Sequence, residues 1–187
     1  MHGKLYEYFE SDHKRIEGLL NRATEKSGEF EMKAYGEFRA GLLRHIGLEE
    51  RILFPAAQKV KGGEPFPSLP KLRLDHGALT ALMVPPPTHA IVAAIRAILV
   101  AHDAIEESPD GPYDVCEQLA GKDVDVLLVK VQNAPAVPVL PHRSEPFVLE
   151  ATRRALGRAG YNLEDYENDA SGRKENLSPT NHTAKTK

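Results

Sequence analysis

Four apolar helical stripes, running from the N-terminus to Glu107, each carry a histidine on the inward face, and two of them carry a glutamate one turn further on. The pairs are His45 with Glu49 and His102 with Glu106, two copies of an HxxxE spacing. Residues four apart on an α-helix lie one above the other, so each pair aims an imidazole and a carboxylate at the same patch of interior. Burying such groups without a partner is costly, and a fold that takes them inside must bring them to a common one.

The stripes themselves are plain. From Leu5 to Lys26, Leu5, Phe9, Ile16, Leu20 and Ala23 recur at three-to-four spacing, with His13 in register and Gly28 as the stop. From Phe30 to Val60 the repeat runs through Ala34, Phe38, Leu42 and Leu53, with Pro55 expected to bend or break the last turns. After the loop Gly62-Gly63-Glu64-Pro65-Phe66-Pro67, a shorter stripe of Leu69, Leu72, Leu79 and Met83 contains His76 and ends at Pro85-Pro86-Pro87. The fourth, Thr88 to Glu107, runs through Ile91, Ile95 and Leu99 before Pro109 and Gly111.

In an antiparallel helix pair, two residues share a height when the connecting loop lies midway between them. The midpoint of His13 and His45 is residue 29, that of His45 and His76 is 60 to 61, and that of His76 and His102 is 89; all three fall at turn signals. An up-down-up-down bundle therefore sets four imidazoles at one level, with Glu49 and Glu106 roughly 6 Å further along their helices. A carboxylate can bridge two ions, whereas a neutral imidazole offers one nitrogen to one. The stoichiometry suits a dinuclear metal centre held by His13, His45, Glu49, His76, His102 and Glu106. One inward histidine would be an ordinary core residue; six such groups on four stripes are not.

The remaining sequence narrows the alternatives. A formal charge of −3 argues against nucleic acid or a membrane surface as partner. The single cysteine, Cys116, excludes an intrachain disulfide framework and thiolate-rich metal sites, and reads as a small buried apolar residue in preference to a redox thiol. Met1 to Phe9 lacks the apolar run of a signal peptide and no stretch approaches 18 apolar residues, which implies a soluble, cytoplasmic setting. His2, His89, His142 and His182 lie off the stripes and read as surface residues.

The order His13, His45xxxGlu49, His76, His102xxxGlu106 resembles the hemerythrin-like HHE cation-binding family, over residues 1 to about 108. The local text from His45 through Glu49-Glu50 to Leu53-Phe54-Pro55 is similar to that family's second-helix signature. The resemblance implies two iron ions joined by an oxo or hydroxo oxygen, one bound by His13 and His45, the other by His76 and His102, with Glu49 and Glu106 bridging. Two departures stand out. Oxygen-carrying members have a further HxxxH pair, but four residues either side of His76 stand Leu72 and Thr80, and they have an aspartate where this chain has Glu106. An ion is thereby left with an open or water-filled position, or one filled by Glu50 or Glu107.

The expected architecture is thus all-α: an up-down-up-down four-helix bundle over 1–108, a mostly helical C-terminal extension over 109–166 and a disordered tail over 167–187. Within the extension, Tyr113 to Asn133 reads as a helix or helix pair, with a short strand as the alternative at Val124 to Val131. Pro135, Pro138 and Pro141 give an extended stretch, and Glu145 to Ala159 a last helix stopped by Gly160. Tyr113, Phe147 and Leu149 are its candidate anchors, and it could also supply a contact to a second copy or a regulatory partner. The expected function is binding of dioxygen, peroxide or nitric oxide at the di-iron centre, or sensing of iron or oxygen. The alternatives are a di-iron enzyme removing peroxide or nitric oxide, and a metal-dependent interaction module.

Overall fold

The computed structural model describes residues 2–26 and 28–168, which form helices and connecting segments without a strand. The first stripe becomes α1, Lys4–Ala23, and the second becomes α2, Met32–Leu48, continued through a π-helical turn, Glu49–Leu53, into α3, Phe54–Val60. The third and fourth become α4, Leu69–Leu82, and α5, His89–Glu106. Thr88 caps α5 by accepting the Ile91 N–H at 3.1 Å, and Glu31 caps α2 through the N–H groups of Lys33 and Ala34.

The break in the second stripe begins earlier than the proline alone predicts. Pro55 has no N–H, and in an α-helix its ring would meet the carbonyl of Arg51 four residues back. The chain widens instead, and Phe54 N–H donates to the Glu49 carbonyl five residues back. Such a turn rotates the side chains before it relative to those after it. Here it leaves Glu49 fully buried while Glu50, its neighbour, stays at the edge of the bundle. The following reversal uses Gly62 and Gly63, both at positive φ (75° and 96°), where a side chain would be strained.

The extension is helical too. It contains α6, Pro112–Ala120, a 3₁₀ turn, α7, Val124–Gln132, and α8, Pro146–Ala159, with a further helical segment over residues 163–168. The strand alternative at Val124 to Val131 does not hold, because α7 buries Val131 against Arg44 and the π-helical turn and leaves Val126 and Val129 facing out. Gly160 closes α8 at φ 91°, with the Tyr161 N–H donating to the Leu156 carbonyl at 3.0 Å. Phe147 is not an anchor: it is 56% exposed, and Val148, Ala155 and Leu156 hold α8 against α4 instead. The tail expected to be disordered lies, from residue 169 on, outside the described residues.

Two apolar clusters sandwich the histidine level. One contains Ile16, Leu20, Phe38, Leu42, Leu79, Leu82, Ile95 and Ile98, and α8 adds Leu156 to it. The other contains Leu5, Phe9, Leu48, Leu53, Phe54, Leu69 and Leu72, and α6 and α7 add Tyr113, Cys116 and Val131. His13 falls between Phe9 and Ile16, His45 between Leu42 and Leu48, and His76 between Leu72 and Leu79. The ligand layer is thus walled by hydrocarbon above and below. No helix among the described residues is long and apolar enough to cross a membrane.

Candidate metal centre

All six residues singled out by spacing meet in this layer, and all are buried, with Glu49 and Glu106 wholly so. They form two groups, His13, His45, Glu49 and Glu106, and Glu49, His76, His102 and Glu106, so the two glutamates are common to both. His13 Nε2 lies 2.9 Å from His45 Nε2, and His76 Nε2 lies 3.1 Å from His102 Nε2. Glu49 spans the groups, its Oε1 3.2 Å from His45 Nε2 and its Oε2 3.2 Å from His76 Nε2. Glu106 reaches both groups with a single oxygen, Oε2, 3.3 Å from His102 Nε2 and 3.4 Å from His13 Nε2.

The histidines are oriented from behind. The Nδ1 of His13 meets Glu107 at 2.7 Å, that of His45 meets Asp12 at 3.0 Å, and that of His76 meets Glu50 at 2.9 Å. His102 Nδ1 faces Asp75 Oδ2 at 3.7 Å, beyond hydrogen-bond reach. A carboxylate on Nδ1 holds the proton there and leaves the Nε2 lone pair facing inward, the arrangement that metal-bound imidazoles use. Glu50 and Glu107 therefore do not complete a coordination shell, as the sequence left open; they hold the outer nitrogens of His76 and His13. The reason is the helical 100° step, which turns the residue after each shared glutamate toward the neighbouring helix.

Asp12 and Asp75 were not singled out from the sequence. The signal was there: an Asp-His pair followed by HxxxE-E occurs twice, as Asp12-His13 with His45xxxGlu49-Glu50 and as Asp75-His76 with His102xxxGlu106-Glu107. Within each half the aspartate faces the histidine of the HxxxE motif. The second glutamate reaches across to the other half.

The missed residue of greatest consequence is Tyr113, at the start of α6. Its hydroxyl lies 2.5 Å from Glu49 Oε1, 2.9 Å from Glu106 Oε2, 3.0 Å from His13 Nε2 and 3.3 Å from His45 Nε2. No periodicity in the four stripes points to it, because it belongs to a helix outside them. Cys116, one turn on, is buried at the same interface, and burial pushes its thiol up, away from thiolate reactivity.

Two observations show that the cluster fits a cation. Glu49 Oε2 and Glu106 Oε1 are buried without a hydrogen-bond partner, which is costly for carboxylate oxygens unless positive charge lies beside them. Neutral imidazoles protonated on Nδ1 would also point paired Nε2 lone pairs at one another. Without an ion, protons take its place. Burial alone would depress His45, but Glu49 and Asp12 outweigh it and bring the imidazole up to about 10. Burial and His45 likewise depress His13, yet Glu106 and Glu107 raise it to about 9, and Glu106 brings the buried His102 up to about 10. Burial raises Glu49, but the His45 and His76 charges hold it well below the usual carboxylate range.

A cavity of about 350 Å³ opens on the layer from the side of α1, α2 and α5. His13, His45 and His102 form its floor and Ile16, Leu42 and Leu79 its apolar walls. Asp103 stands at its rim, and burial lifts that carboxyl to about 6. Of the histidines read as surface residues, His89 is exposed and His2 stacks on Tyr6 at 3.8 Å. His142 differs from that reading: it is half-buried, stacked on Tyr35 and 3.3 Å from Arg39, because the proline-rich stretch lays it across α2. His182 lies outside the described residues.

The chain matches the family model described as Hemerythrin HHE cation binding domain over residues 4–112, a span that starts with α1 and reaches the first residue of α6. No curated protein and no solved structure matches it.

Proposed function

Because the chain belongs to the hemerythrin HHE cation-binding domain family, we propose that it is a cytoplasmic non-haem di-iron protein that binds dioxygen, peroxide or nitric oxide, or senses iron or oxygen. The observation that carries this reading is the sharing of Glu49 and Glu106 by two histidine pairs, a donor set that would suit two adjacent ions with both carboxylates common to them. His13 and His45 would hold one ion, His76 and His102 the other. Iron bound there would supply redox and Lewis-acid chemistry. The protein's own part is to fix the His13, His45 and His76 imidazoles through a carboxylate on the outer nitrogen, to exclude bulk water with the two apolar clusters, and to admit a small ligand through the cavity over His13, His45 and His102.

The cavity also favours a second reading, an enzyme that turns over peroxide or nitric oxide, since a ligand of a few atoms can reach the centre without opening the bundle. Consumption of either molecule, measured against the metal-free protein, separates turnover from binding alone. The di-iron reading is tested by reconstitution with iron(II) in the absence of oxygen, followed by metal analysis. About two irons per chain is the expected count from the two histidine pairs. His102→Ala loses at least one of them and His89→Ala loses none. One zinc per chain, no bound metal, or equal loss in both variants overturns the assignment.

A further inference from the structure

Tyr113 reaches the ligand layer from outside the bundle helices. Its position is fixed by packing: the ring is 1% exposed, stacks on Phe9 at 5.2 Å and meets Tyr6 edge-on at 6.0 Å. The start of α6 is tied to the bundle as well, since Glu117 accepts the Leu5 N–H at 2.6 Å, and Gly111 N–H donates to the Ser108 carbonyl at 2.7 Å.

Burial and the Glu106 and Glu49 carboxylates keep the Tyr113 phenol protonated, well above its ordinary value, while no cation lies beside it. A hydroxyl has one hydrogen to donate, and carboxylates only accept, so Tyr113 cannot serve both Glu49 and Glu106. The geometry suits a ligand better. Donor atoms in neighbouring positions around one ion, each about 2.1 Å from it, lie about 3.0 Å from one another. The Tyr113 oxygen lies 2.5 to 3.3 Å from Glu49 Oε1, Glu106 Oε2, His13 Nε2 and His45 Nε2, and the His13–His45, His45–Glu49 and His13–Glu106 donor pairs are 2.9 to 3.4 Å apart.

We propose that Tyr113 is a seventh protein ligand, a phenolate bound to the ion held by His13 and His45. This rests on the metal-centre reading above and extends it. Ligation forms one metal–oxygen bond and releases the phenol proton to water, with no electron transferred. The two ions then differ: the His13–His45 ion has five protein donors, and the His76–His102 ion has four. The second ion, with one protein donor fewer, is then the one left with an open position. The extension thereby becomes part of the centre.

The test compares the full chain with Tyr113→Phe and Tyr6→Phe, each loaded with iron, oxidised to iron(III) and counted for metal. The phenylalanine keeps the ring that packs on Phe9. Wild type and Tyr6→Phe are expected to show a phenolate-to-iron charge-transfer band in the visible, with tyrosine ring modes in the resonance Raman spectrum excited within it. Tyr113→Phe is expected to lose the band entirely while keeping its iron. Should that variant fail to hold iron, ring-deuterated tyrosine in the wild-type chain decides the matter, because a bound phenolate shifts those modes. Two irons per chain without the band, or a band that survives in Tyr113→Phe, overturns the ligand assignment and leaves the di-iron reading standing. A wild-type chain that takes up no iron overturns both.

Discussion

Removing the charge behind His45 should weaken metal binding by an amount the geometry allows us to bound. Asp12 Oδ2 meets His45 Nδ1 at 3.0 Å, and its other oxygen accepts from Arg15 Nε at 2.7 Å, so the carboxylate is pinned from both sides. Although burial would raise Asp12, His45 and Arg15 together hold it down at about 2, so it is fully ionised at neutral pH. Loss of a carboxylate behind a metal-bound imidazole typically weakens affinity about 10- to 100-fold, or about 1.4 to 2.8 kcal/mol. Asp12→Asn keeps an acceptor oxygen and loses the charge, which places it near the lower figure; Asp12→Ala loses both and belongs near the upper. Asp75 offers the internal control. It stands 3.7 Å from His102 and is shared with Lys71 at 2.7 Å, so Asp75→Asn should cost less than Asp12→Asn. The assay is competition for iron(II) against a chelator of known affinity, with circular dichroism to verify folding. Less than about threefold loss in Asp12→Ala, or a larger loss in Asp75→Asn than in Asp12→Asn, refutes the argument that these carboxylates set ligand strength.

Two further outcomes are expected from the same structure. In the metal-free protein the raised histidines favour the folded state fully below their unfolded value of about 6.5, and that stability is lost as pH climbs through about 9 to 10. Metal binding must displace those protons, so apparent affinity should rise from pH 6 to 8, by up to about tenfold per pH unit for each proton released. Thermal unfolding of the metal-free chain and chelator competition for the loaded one should thus show opposite pH trends, and a flat affinity over that range would contradict the proton count. Leu82→Ala removes a wholly buried side chain from the cluster that joins the bundle to α8. It should lower unfolding free energy in urea by about 2 to 5 kcal/mol with iron content unchanged at saturation, and a cost below about 1 kcal/mol would mean that this layer is loosely packed.

The bundle was readable because a helix converts spacing into facing: three-to-four apolar repeats and turn-forming glycines and prolines located α1, α2, α4 and α5 within a few residues. The loop midpoints placed His13, His45, His76 and His102 at one height, and the structure brings their Nε2 atoms into pairs at 2.9 and 3.1 Å. The π-helical turn at Glu49–Leu53 was less readable, since Pro55 announces a disturbance without saying how the backbone will absorb it. Phe147 shows the same limit in the extension. One apolar residue at a helix start is not enough to say which face will be buried.

By itself, the sequence determined the six-residue cluster and the four-helix frame, because both depend on periodicity within a helix and on the length of the connections between helices. Only the tertiary structure decided what surrounds that set. Asp12, Asp75, Glu50 and Glu107 act across helix boundaries, where the rotation of one helix against another decides which outer nitrogen meets which carboxylate. Tyr113 depends on more still. It lies seven residues past Glu106, beyond a reversal, and reaches the histidine layer because α6 turns back to pack on α1 and α3. That direction is set by side chains distant in sequence, by Glu117 on the first turn of α1 and by Phe9 under the tyrosine ring, and no local pattern encodes it.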